Sequence, residues 1–146
     1  YDEESRKRVR RHREMRAGKG FETIECYTDL PAVKVPAGST VLLECMSNLA
    51  ANEMFRPEGA HENAESEILK GIALLREQAA NLIVVTNEIF SECCIYQGET
   101  ESYRACLGKV NQALAEMADQ AVEVVYGIPV YLKKGGAVHE KSVEQL

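Results

Sequence analysis

The runs Thr40-Val41-Leu42-Leu43-Glu44-Cys45 and Leu82-Ile83-Val84-Val85-Thr86 share one composition, aliphatic and β-branched side chains at consecutive positions, and the second is closed by Asn87-Glu88. Each is too short for a typical helix and rich in residues that fit a pleated backbone. Consecutive apolar positions predict burial on both faces, as in a parallel sheet covered by helices. Between the two runs Ile68, Leu69, Ile72 and Leu75 recur at helical spacing. Strand, helix, strand is the unit of a mainly parallel α/β sheet. Ligands of such sheets sit beyond the carboxyl ends of the strands, which puts Glu44 and Asn87-Glu88 on one edge. Acidic strand ends beside a basic helix fit a Mg²⁺–nucleotide site, although polar residues also end strands merely because strand ends are solvated.

Toward the N-terminus, residues 3–16 hold many good helix formers, but only Val9 and Met15 are strongly apolar, so a largely solvated helix is predicted. Gly18-Lys19-Gly20 ends it, and Phe21 to Tyr27 alternates well enough for a short strand. Pro31, Pro36 and Gly38 punctuate an irregular connection, and Asn48 to Ser66, with Pro57 and Gly59, reads as a polar stretch. Beyond the second apolar run come a loop around Ser91–Gly98 and a long helix with the stripe Tyr103, Cys106, Leu107, Val110, Leu114 and Met117. Ala121 to Tyr126 and Ile128 to Leu132 read as one or two strands interrupted at Gly127 and Pro129. The polar residues 133–146 are expected to form a flexible tail.

A chain of 146 residues fits a single α/β domain over 1–146. Its net charge of −6 is uneven: residues 1–20 carry eight Lys/Arg against four Asp/Glu, so the basic end is a candidate anion site. Nucleic acid is the poorer partner, because that end has almost no aromatic residues to stack on bases and the rest of the surface would repel a polyanion. Five cysteines, an odd number without paired C-x-x-C spacing, predict a reduced, cytoplasmic protein. No apolar run approaches the length of roughly 18–20 residues that a membrane span needs. The chain opens on Tyr1-Asp2-Glu3-Glu4, directly into a helical pattern, from which a preceding segment is expected.

Six short blocks, in order, resemble the bifunctional cobinamide kinase / cobinamide-phosphate guanylyltransferase family of cobalamin biosynthesis. They are Arg8-Val9-x-x-His12-x-x-x-Arg16, Thr23-Ile24-Glu25-Cys26, Leu42-Leu43-Glu44-Cys45, Val85-Thr86-Asn87-Glu88, Gly108-Lys109-Val110-Asn111-Gln112 and Gly127-Ile128. The resemblance implies a P-loop NTPase-like (RecA-like) fold, with the N-terminal strand and P-loop absent from this chain. It implies phosphorylation of adenosylcobinamide with ATP or GTP, then transfer of GMP from GTP onto adenosylcobinamide phosphate to give adenosylcobinamide-GDP. The implied cofactors are GTP, ATP and Mg²⁺, and the implied assembly is a homo-oligomer, a trimer by expectation.

The resemblance places the GMP-histidine nucleophile on His12 and nucleotide contacts on Arg13, Arg16, Glu25 and Glu44. The chemistry suits these types: a neutral imidazole attacks phosphorus, and guanidinium groups disfavour its protonation while donating to phosphate oxygens. A carboxylate at Glu25 or Glu44 can accept from guanine N1 and N2, accept from a ribose hydroxyl, or hold Mg²⁺, and the residues alone do not choose. Taken without the motif, His12 would be a surface histidine, Glu25 an outward edge residue and Glu44 a solvated strand end. Asn87 and Glu88 match a block whose role, ligand contact or strand-end shaping, stays open. His61 and His139 match nothing and are read as surface residues.

Two departures stand out. Ile89-Phe90-Ser91-Glu92-Cys93-Cys94 replaces a glycine-rich run that many relatives carry, and the pattern G-x-x-x-x-G-K-[ST] occurs nowhere. Gly18-Lys19 has Arg13 and Gly20 at the outer positions of that pattern, and Gly108-Lys109 has Tyr103 and Val110.

Overall fold

The computed structural model describes residues 3–89, 98–135 and 137–138. In chain order these form α1 (Glu3–Arg16), β1 (Thr40–Glu44), α2 (Met46–Phe55), α3 (Ala64–Gln78), β2 (Asn81–Val85), α4 (Glu99–Met117), β3 (Gln120–Val125), β4 (Ile128–Lys134) and β5 (Ala137–Val138), with 3₁₀ turns at Leu30–Ala32 and His61–Asn63.

The strand–helix–strand expectation holds. β1 and β2 pair in parallel, from Thr40 opposite Asn81 to Glu44 opposite Val85, with α3 connecting them on the chain. Burial on both faces does not hold among the described residues. Leu43, Leu82 and Val84 pack on the core, whereas Leu42, Ile83 and Val85 on the other face are 41%, 53% and 39% exposed. The composition promised a face that the described helices leave uncovered. The second sheet, β3-β4-β5, is antiparallel throughout, so "mainly parallel" describes only the first.

The antiparallel pair follows from the interruption at Gly127. Tyr126 and Gly127 both take positive φ (51° and 79°), the requirement of a two-residue turn whose twist matches a hairpin. Lys133 and Lys134 continue β4 opposite Ala121 and Gln120, and the Lys133 ammonium donates to the carbonyls of Ala115 and Glu116 at 3.3 and 2.9 Å. A cation there satisfies carbonyls left open at the end of α4 and suits the negative end of its dipole.

The core is built from Leu30, Met46, Leu49, Ala50, Ile68, Ile72, Leu75, Leu107 and Val110. Gly71 is required on α3, because a Cβ there would lie 2.6 Å from Leu30 Cγ. Gln78, at the end of α3, accepts from the Val35 N–H at 3.1 Å and donates to the Val33 carbonyl at 3.4 Å, fixing the irregular segment before β1. α2 runs from Met46 into the stretch from Asn48 expected to be merely polar. Its inner stripe of Met46, Leu49, Ala50 and Glu53 includes a carboxylate, which breaks the apolar period that would have announced a helix. Glu53 is only 2% exposed, and its two oxygens accept from the backbone N–H groups of Asp29 (2.7 Å) and Ala60 (2.9 Å). A buried carboxylate stays tolerable when hydrogen bonds replace its water.

Phe21 to Tyr27 is irregular and is not a strand, since it joins neither sheet. Alternation gives a segment the form of a strand, but only a ladder of hydrogen bonds makes it one. Cys26, Cys45 and Cys106 carry free thiols. Burial, and then the Glu53 and Asp29 charges, push the Cys26 thiol up, and burial followed by the Glu65 charge does the same to Cys106, which disfavours the thiolate at both. Among the described residues no helix is long and apolar enough to cross a membrane. The loop after Ile89, where the sequence departs from the glycine-rich run, lies outside the described residues.

Candidate functional site

Helix α1 is a charged rod whose last turn holds Arg13 and Arg16, where cations suit the helix dipole. Gly18 and Gly20 then take positive φ (76° and 74°), so the chain leaves the helix and returns as the irregular segment 21–27. That return brings Glu25 onto Arg13: the guanidinium Nη2 donates to Glu25 Oε1 at 2.6 Å. Tyr27 donates its hydroxyl to the other oxygen, Oε2, at 3.2 Å. The Arg56 guanidinium in turn lies 4.8 Å above the Tyr27 ring.

One residue earlier on α1, His12 faces the end of β1. Its Nδ1 lies 3.3 Å from Glu44 Oε1, and the two side chains are 37% and 36% exposed. Arg16 Nε donates to the His12 carbonyl at 3.1 Å. The register of β1 with β2 fixes Glu44 beside Val85, so the sheet edge carries the carboxylate to the helix. The structure therefore joins four of the sequence-predicted residues in two pairs, His12 with Glu44 and Arg13 with Glu25, and Arg16 braces the turn between them.

Asn87 lies on the same edge, two residues beyond Val85, but its side chain turns to α2: Nδ2 donates to Ser47 Oγ at 3.1 Å. Ser47 is also 3.1 Å from Cys45 Sγ, and its carbonyl accepts from the Tyr103 hydroxyl at 3.1 Å. Thr86 donates to Asn111 Oδ1 at 2.7 Å, while Asn111 Nδ2 donates to the Asn87 carbonyl at 3.4 Å. The end of β2 is thus laced to α2 and α4. Glu88 is exposed beyond it.

An open cleft of about 590 Å³ lies beside these pairs, lined by Arg13, Arg16, Ala17, Gly18, Gly20, Phe21, Thr23 and Glu25. His12 and Glu44 do not line it; Arg16, which reaches both the cleft and the His12 carbonyl, connects the two places. Phe21 is 54% exposed and adds an aromatic face to a cleft otherwise offering guanidinium groups, a hydroxyl and a carboxylate. Such a lining suits a ligand with a planar base at one end and negative charge at the other. Phe21, Tyr27 and Ser47 were not singled out by sequence; Asn111 stood inside a recognised block without a role. Among the described residues no three His, Cys, Asp or Glu side chains converge as a metal cluster.

The family profile described as cobinamide kinase / cobinamide phosphate guanyltransferase matches residues 1–132. The chain is 30% identical to the bifunctional adenosylcobalamin biosynthesis protein CobU of Salmonella typhimurium (strain LT2), an alignment covering 90% of this chain and 80% of that protein. The protein of the same name from Escherichia coli (strain K12) is 28% identical over the same shares. With a profile match over most of its length and the Salmonella relative at this identity, the chain belongs to the cobinamide kinase / cobinamide phosphate guanyltransferase family.

Proposed function

We propose that this chain carries the guanylyl-transfer site of an enzyme of adenosylcobalamin biosynthesis, on a P-loop NTPase-like sheet. The reaction is transfer of GMP from GTP to adenosylcobinamide phosphate, giving adenosylcobinamide-GDP, in a bifunctional protein that also phosphorylates adenosylcobinamide with ATP or GTP. The observation that carries the reading is the placement of His12 against Glu44, one residue along α1 from the Arg13–Glu25 pair that lines the cleft.

In this reading the neutral His12 ring attacks the α-phosphorus of GTP. A nitrogen–phosphorus bond forms, the bond from that phosphorus to the bridging oxygen breaks, and pyrophosphate leaves with the electron pair. A phosphate oxygen of adenosylcobinamide phosphate then attacks the same phosphorus and restores the imidazole. Arg13 and Arg16 offer donors to phosphate oxygens through both steps. Glu25 lines the same cleft as Phe21 and supplies acceptor oxygens of the kind guanine N1 and N2 require. Magnesium that arrives on the triphosphate needs only one or two protein carboxylates, and with Glu44 engaged by His12, Glu88 at the strand-end edge is one such group. Bound there, it would offset charge on the leaving pyrophosphate.

The test uses GTP labelled at the α-phosphate. Label should remain on the protein, with pyrophosphate released, before any cobinamide phosphate is added. His12→Asn should abolish the label, and His61→Asn and His139→Asn should keep it. Label from the γ-phosphate, or α-label surviving in His12→Asn, overturns the reading. A second reading is a nucleotide-binding domain of the same fold without catalysis. It predicts GTP protection, about 2.7 kcal/mol at 100 times Kd, with no label.

A further inference from the structure

The His12–Glu44 contact has a direction. It is made through Nδ1, at 3.3 Å from Glu44 Oε1. A neutral imidazole carries its proton on one ring nitrogen and a lone pair on the other, while an ionised carboxylate only accepts. With the lone pair on Nδ1, two electron-rich atoms would face each other across that gap. With the proton on Nδ1, the same contact is attractive and the lone pair is on Nε2. A phosphorus could not enter between Nδ1 and Oε1 without driving the carboxylate away.

We propose that Glu44 is a positioning residue for His12: it holds the ring proton on Nδ1 and so makes Nε2 the atom that bonds to the α-phosphorus. The proposal rests on the guanylyl-transfer reading and deepens it. As the nitrogen–phosphorus bond forms at Nε2, the ring becomes cationic, and the carboxylate opposite Nδ1–H offsets that charge; when the acceptor oxygen displaces the ring, the lone pair returns to Nε2 and the proton has never left Nδ1. Such contacts are often long without substrate and tighten around it. The placement is supported from both sides, since β1 is locked in register beside Val85 and the His12 carbonyl is held by Arg16.

This assigns Glu44 a different task from the nucleotide contact expected of it. His61 provides an internal reference. Its Nδ1 lies 3.0 Å from the Met54 carbonyl, which only accepts, so its neutral ring also carries the proton on Nδ1, held by an uncharged partner.

The tautomer is read directly, with no nucleotide present, by long-range proton–nitrogen correlation on the ¹⁵N-labelled chain at a pH where the rings are neutral. His12 should show a protonated Nδ1 and an unprotonated Nε2, the reverse of the preference of a free imidazole. Glu44→Ala should return His12 to the free preference and leave His61 unchanged, whereas Glu44→Gln, which keeps an acceptor oxygen, should retain the Nδ1 proton. A protonated Nε2 in the unaltered chain overturns the proposal. In the α-label assay the adduct should sit on Nε2, and Glu44→Gln should lower the maximal labelling rate about tenfold or more, with half-saturating GTP within about twofold. An adduct on Nδ1, or a raised half-saturating GTP with unchanged maximal rate, assigns Glu44 to the nucleotide instead and overturns the proposal. Failure of the transfer reading is distinguishable: no label forms on His12 at all, while the tautomer measurement still decides whether Glu44 orients the ring.

Discussion

Around Ile68 and Leu107 the chain is held by apolar side chains with essentially no solvent exposure, whereas around His12 and Glu25 it is held by two charged pairs, every member of which is more than a third exposed. The first region has stability to lose and no chemistry. The second, to which the proposed function assigns the chemistry, has little stability, because exposed ion pairs contribute weakly and are screened by salt. Under the proposed function these residues exchange their internal partners for a ligand's phosphates, and such a site is better built from contacts that are easily given up. The sharpest way to break this contrast is to cut the core. Ile68→Ala, at a fully buried position on α3, should cost about 2–5 kcal/mol in urea unfolding. A cost under about 0.5 kcal/mol, the ordinary range for surface substitutions, would remove the contrast.

Glu53 tests the boundary between the two regions, since it is a charge placed by core logic. Glu53→Gln leaves one acceptor oxygen for two backbone N–H groups and turns an amide N–H₂ toward the other. The expected loss is about 1–3 kcal/mol, the range for one buried donor left unsatisfied. The same measurement would also report on Cys26, whose thiol is held up by burial first and by Glu53 next. Removing the Glu53 charge should lower the pH at which Cys26 becomes alkylated, by less than full exposure would.

What the sequence made legible follows the same division. α3 and α4 announced themselves through Ile68, Ile72, Leu75, Leu107 and Val110 because burial imposes a period that composition records. The parallel pairing of β1 with β2, and the shared edge of Glu44 and Asn87, followed from two apolar runs separated by a helix. α2 was hidden because Glu53 stands on its inner stripe, and the sequence cannot show that the N–H groups of Asp29 and Ala60 will satisfy it. Phe21–Tyr27 was misread as a strand because alternation is a local signal and ladder partners are not. The open face of Leu42, Ile83 and Val85 was misread for a related reason: apolar composition records what a surface could bury, not which described element covers it. The pairing of His12 with Glu44 could not be read at all, since it depends on how a solvated helix lies against a strand end, and no period encodes that.

The smallest expected effect is at Arg13 and Glu25, and it is the most informative about the charged corner. The pair is short, 2.6 Å, but the side chains are 63% and 51% exposed, and Tyr27 gives the carboxylate a second partner. A short contact in water still gives back most of its Coulomb energy to desolvation and to lost side-chain freedom. A double-mutant cycle with Arg13→Ala and Glu25→Gln should therefore return a stability coupling of about 0.2–1 kcal/mol. It should shrink further in 1 M salt, where the screening length falls to about 3 Å. The same substitutions should raise half-saturating GTP in the α-label assay, because each removes a group that lines the cleft. A coupling above about 2 kcal/mol that resists salt would mean that the pair is a structural tie rather than a contact waiting to be exchanged. In that case Arg13 would be unavailable to a phosphate, and of the two cleft arginines Arg16, already turned toward the His12 backbone, would have to meet the nucleotide.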